Sequence, residues 1–75
     1  MFHTIEFHTD WTTDLEISPK KPLEQLSIRK GTRLKAQVKP YVIETSDGPV
    51  EVADLFLEDG ATARSLPFAF FSFVN

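Results

Sequence analysis

The sequence predicts an all-β fold, a small barrel or sandwich of five to seven short strands, on three observations. Side chains alternate between apolar and polar with period two over long stretches, turn-forming residues recur roughly every ten positions, and a helical spacing of apolar residues holds nowhere. A chain of 75 residues with this pattern reads as one domain, residues 1–75, near the lower size at which a hydrophobic core suffices. It has no cysteine, so neither disulfides nor a thiolate zinc site can supplement that core. The burden falls on aromatic residues: Phe2, Phe7, Trp11, Tyr41, Phe56, Phe68, Phe70, Phe71 and Phe73.

The first elements follow from parity. Ile5, Phe7, Trp11, Leu15 and Ile17 alternate with Glu6, His8, Asp10, Thr12, Asp14 and Glu16, which is strand periodicity. The run is long for one strand, and Thr9-Asp10 or Thr12-Thr13 can host a turn, so two strands are expected, at residues 2–8 and 12–17. Ser18-Pro19-Lys20-Lys21-Pro22 ends the extended run, because proline donates nothing to a ladder. Leu23-Glu24-Gln25-Leu26 reads as a single helical turn led by Pro22. Ile28 to Lys30, a turn or bulge at Gly31, and Thr32 to Val38 read as the next strand, stopped by Pro40.

Tyr41 to Thr45 is β-branched and aromatic, and Asp47-Gly48 turns it into a second arm, Val50 to Leu57. In that arm the apolar positions change from even (Val50, Val52) to odd (Leu55, Leu57), which predicts a bulge or bend at Ala53-Asp54. Asp54 interrupts the apolar run and is expected to cap the bulge by accepting backbone N–H bonds. Glu58-Asp59-Gly60 makes another turn, Ala61 to Leu66 returns, and Phe68 to Val74 closes the chain after Pro67. Closing the sheet would remove open edges. An SH3-like barrel is preferred over an OB-like one, because the strands are short and no stretch is left for the intervening helix of an OB-fold.

Charge is sorted along the chain. Lys20, Lys21, Arg29, Lys30, Arg33, Lys35 and Lys39 lie in a stretch whose only acid is Glu24, leaving Arg64 against ten carboxylates elsewhere; the formal net charge is −3. On a strand, Arg33, Lys35, Gln37, Lys39 and Tyr41 face one way and Leu34, Ala36 and Val38 the other. This basic stripe, with Arg29 and with Tyr41 as a stacking platform, is the first candidate site. It suits an acidic protein surface or, in a second reading, single-stranded RNA or DNA. The plainer alternative is that the acidic stripe Glu6, Asp10, Asp14 and Glu16 lies beside it and neutralises it. The net negative charge argues against indiscriminate binding to nucleic acid or anionic membrane.

The second candidate is the C-terminal aromatic run, where Phe71 and Phe73 would form an interface with a partner or a second copy of the chain, unless both simply pack in the core. Glu6, His8 and Asp10 share a strand face, but one histidine among acids is an ordinary solvated surface, and no metal site or cofactor is expected. Enzyme motifs are missing: there is no cysteine nucleophile, no glycine-rich phosphate loop and no Ser-His-acid constellation in recognisable context. No cationic leader or long apolar span is seen. The expectation is therefore a cytoplasmic, non-catalytic interaction or accessory module, monomeric or homodimeric, with no membrane partner.

Overall fold

A computed structural model describes residues 1–74. The described residues form seven strands: β1 (His3–Phe7), β2 (Trp11–Glu16), β3 (Glu24–Ile28), β4 (Arg33–Thr45), β5 (Gly48–Leu57), β6 (Thr62–Pro67) and β7 (Phe71–Val74). A single 3-10 turn, Phe68–Phe70, precedes β7. All strands join one antiparallel sheet in the order β3-β2-β6-β5-β4-β1-β7, curled into a half-barrel. The curl brings Trp11 of β2 edge-on to Phe70, with ring centroids 4.8 Å apart, so the two ends of the sheet approach each other through aromatic side chains.

The concave side holds the core. Ile5 and Phe7 of β1, Ala36 of β4, Leu55 of β5 and Leu66 of β6 are at most 1% exposed. Phe7 and Phe71 pack at 5.6 Å between ring centroids, and Phe68 packs tilted against Phe71 at 5.3 Å. Each large apolar side chain buried in this way contributes roughly 1.5–3 kcal/mol. The 3-10 turn lets the terminal aromatic run use both parities. It shifts the chain between Phe68 and Phe71, so both rings reach the same core.

Three sequence expectations need correction. Leu23 to Leu26 forms no helical turn: Glu24–Ile28 pairs with β2 from Leu15 back to Trp11, because a four-residue helix is too short to persist, whereas the ladder gives its backbone partners. Ile28 to Val38 is not one strand: the turn expected at Gly31 is there, but it divides β3, ending at Ile28, from β4, beginning at Arg33. Arg29 to Thr32 makes a separate turn, closed by the Thr32 N–H to the Arg29 carbonyl at 2.9 Å. Gly31, with φ +90°, takes the left-handed backbone this turn requires, and its N–H donates to the Phe7 carbonyl at 2.8 Å. Pro40 does not stop β4, which continues to Thr45. From Gln37 onward β4 has β5 on one side only, since β1 pairs with it just from Arg33 to Ala36, and a residue without an N–H is tolerated along an open edge.

An irregularity falls beside Asp54 as expected, but it is not in β5, which keeps unbroken register with β4 from Gly48 to Leu57. Ala53 pairs with Leu66 and Leu55 with Ala63, so two residues of β6, Arg64 and Ser65, face the single residue Asp54. The extra residue therefore sits on β6. The Asp47-Gly48 hairpin joins β4 to β5 as expected. Among the described residues no helix is long and apolar enough to cross a membrane.

Candidate functional site

The convex face of β4 carries the basic row. Arg33, Lys35, Gln37 and Lys39 are exposed, and Tyr41 is half-buried at the end of the row; Leu34 and Val38 pack against the core on the other side. Four of the five residues of the basic stripe, Arg33, Lys35, Lys39 and Tyr41, thus share one strand face. Arg29 does not join them. It sits in the turn after β3 and lines an open depression of about 530 Å³ with Asp10, Trp11, Thr12, Ser27 and Ile28. In the same region the Trp11 Nε1 atom is buried without a hydrogen-bond partner among the described residues.

The acidic stripe is dispersed. Glu6 lies across from Arg33 in the β1–β4 ladder, and its carboxylate accepts from the Arg33 Nε at 2.8 Å. Asp10 is engaged by the Lys30 backbone N–H at 2.8 Å. Asp14 faces Gln25 in β3, and Glu16 bonds Arg64 at 3.3 Å. β2 and β4 are separated by β6 and β5, three strand spacings or about 14 Å along the sheet. That exceeds the physiological Debye length of about 8 Å, so exposed charges on β2 do little to neutralise those on β4. Among the described residues, no carboxylate lies within ion-pair distance of Lys35 or Lys39.

Lys39 sits directly across from Asp54, yet the two do not pair. Asp54 is only 9% exposed and already supplied with donors. Its Oδ1 accepts the Tyr41 hydroxyl at 2.8 Å and the Ser65 backbone N–H at 3.0 Å, and its Oδ2 meets the Arg64 Nη1 at 3.4 Å. With Tyr41 donating to Asp54, the Ser65 hydroxyl, 2.6 Å from the Tyr41 oxygen, is the donor of that short contact. Ser65 is held at φ +58°, a conformation rare for a non-glycine residue and here required by the bulge. Arg64 then links Asp54 to Glu16. Asp54 accepts a backbone N–H at the bulge as parity suggested, but the donor comes from the facing strand.

Parity arguments confined to β4 and β5 miss Arg64 and Ser65, and leave Glu16 in the acidic stripe rather than beside Arg64. A signal was present: Ala61 and Ala63 are odd and Leu66 even, so β6 also changes parity between Ala63 and Leu66. The tyrosine platform is consequently an anchored one, its hydroxyl fixed and its ring half-buried.

The remaining candidates fall elsewhere. Phe71 is 4% exposed and belongs to the core, whereas Phe73 is 49% exposed on the edge strand β7 and packs edge-on to His3 at 5.4 Å. The His8 Nε2 is 2.9 Å from the hydroxyl of Ser72, the residue across from Glu6 in the β1–β7 ladder. Among the described residues no three His, Cys, Asp or Glu side chains gather as a metal site would need. Comparison of the chain with protein-family models, with curated proteins and with solved structures gave no match.

Proposed function

We propose that this protein is a non-catalytic binding module, of SH3-like rather than OB-like barrel type, that docks an acidic protein surface on Lys35 and Lys39. The reading rests on one observation: both ammonium groups stand exposed on a sheet strand with no carboxylate paired to them among the described residues. An acidic surface opposite them would gain charge pairing without first breaking an internal pair. A protein is favoured over nucleic acid because the net charge is −3 and the β2 end of the same face is acidic, which opposes a phosphate backbone laid across the sheet.

The test is fluorescence anisotropy with a labelled polyglutamate peptide, single-stranded RNA and single-stranded DNA at low salt. The peptide is expected to bind the parent and to lose affinity for the Lys35→Glu/Lys39→Glu variant. Absence of peptide binding, or equal binding by the variant, removes the proposal. RNA or DNA binding with a slope near −0.7 per phosphate in log affinity against log salt would put the nucleic-acid reading in its place.

A second reading, a homodimer through β7, is favoured by the position of that strand at the sheet edge and by the exposure of Phe73. It predicts sedimentation at twice 8.5 kDa, reverting to monomer in Phe73→Lys. Phe71→Lys is unsuitable because it would disrupt the core. A parent that sediments at 8.5 kDa disposes of this reading.

A further inference from the structure

We infer that the segment docking on β4 is acidic and also carries apolar side chains, its carboxylates meeting Lys35 and Lys39 and its apolar groups seating on Ile43 and Val50. The inference rests on the reading above and specifies the partner. Along β4 the row does not end at Lys39: the half-buried Tyr41 and then the exposed Ile43 follow on the same face. Ile43 lies directly across from Val50 in the β4–β5 ladder, and each is 37% exposed. Directly opposed strand residues share a face, with Cβ atoms about 4.5–5.5 Å apart, so the two make one small apolar platform. Strand rise puts Ile43 about 13 Å beyond Lys39, and Lys39 about 13 Å beyond Lys35.

The arm that bears this platform is a two-stranded ribbon. β4 has lost β1 after Ala36, and β5 pairs with β6 only from Val52 onward. Its two faces differ in charge. Lys39, Tyr41, Ile43 and Val50 line one, where Asp54 is buried and already held by Tyr41, Ser65 and Arg64; Val42, Glu44 and Glu51 lie on the other, with Val42 across from Glu51. An anionic partner is therefore repelled from one face and attracted to the face on which Ile43 and Val50 follow Lys39 along the strand. Exposed β-branched residues on a ribbon with few neighbours would gain burial from such a partner at little cost in rearrangement.

Two labelled peptides of equal length and equal glutamate content, one interspersed with leucine and the other with serine, test this by anisotropy against the parent chain. The leucine peptide is expected to bind about tenfold tighter, the gain from burying one or two aliphatic contacts. Ile43→Thr with Val50→Thr keeps β-branching, and with it the strand preference. In that variant the advantage of leucine should vanish while affinity for the serine peptide stays unchanged, with an unaltered thermal midpoint as the check on folding. Lys39→Glu should weaken both peptides. Equal affinity of the parent for the two peptides overturns the inference and leaves cationic docking standing. Binding of neither peptide overturns the docking reading itself. A parent that sediments as a dimer until Ile43 and Val50 are changed to threonine also overturns the inference, because the arm would then be covered by a second copy.

Discussion

The two ends of the basic row on β4 place a cation across from a carboxylate in the same ladder geometry and reach opposite outcomes. At one end Arg33 faces Glu6 and the pair closes at 2.8 Å; at the other Lys39 faces Asp54 and no pair forms. The difference lies in what else each carboxylate holds. Glu6 is one-third exposed and its recorded polar contact is Arg33. Asp54 is buried and takes donors from Tyr41, Ser65 and Arg64, and the part-buried Tyr41 hydroxyl and Ser65 N–H lose more than a surface lysine would if left without an acceptor. Register decides who is adjacent; saturation of the acceptor decides who is bonded. A cation left over in this way is what a partner can use.

The comparison breaks most visibly at Asp54. Asp54→Ala strips the Ser65 N–H and the Tyr41 hydroxyl of their acceptor at a part-buried bulge and should destabilise the fold by about 2–3 kcal/mol in urea denaturation. Asp54→Asn retains an amide oxygen for both donors and should cost less. Equal losses for the two would mean that the charge on Asp54, rather than its hydrogen bonding, holds the bulge. Tyr41→Phe removes one hydroxyl from the network and should cost about 1 kcal/mol. A loss near zero would show that water replaces the hydroxyl and that the ring alone supports the arm.

Much of this arrangement was legible in the residues. β1 and β2, each within one residue of its expected bounds, follow from alternation, because a side-chain period of two is fixed by the pleat. The hairpin at Asp47-Gly48 follows from turn chemistry, and the irregularity at Asp54 was legible in place but not in strand, since its extra residue is on β6. The separation of the charged stripes was not legible. It depends on strand order, with β6 and β5 inserted between β2 and β4, and nothing local encodes which strands become neighbours. Pro40 misled for a related reason: a proline is excluded only where its missing N–H would face another strand, and β1 ends before reaching it. Arg64 and Ser65 were hidden by their own polarity, since two exposed residues between Ala63 and Leu66 resemble an ordinary loop until they are seen opposite Asp54.

The finest test of the contrast lies at its other end. Glu6→Gln opens the Arg33 pair without changing size; the pair is surface-exposed, so stability should fall by no more than about 0.5 kcal/mol, and less in high salt. The same change releases the Arg33 guanidinium into line with Lys35 and Lys39 and takes one negative charge off the edge of the row. If acidic partners dock there, Glu6→Gln should tighten polyglutamate binding several-fold while barely moving the urea midpoint, the reverse of the pattern for Asp54→Ala. Unchanged affinity would mean that Arg33 plays no part in docking and that the binding surface begins at Lys35, on the side of the row where the facing carboxylate is already occupied.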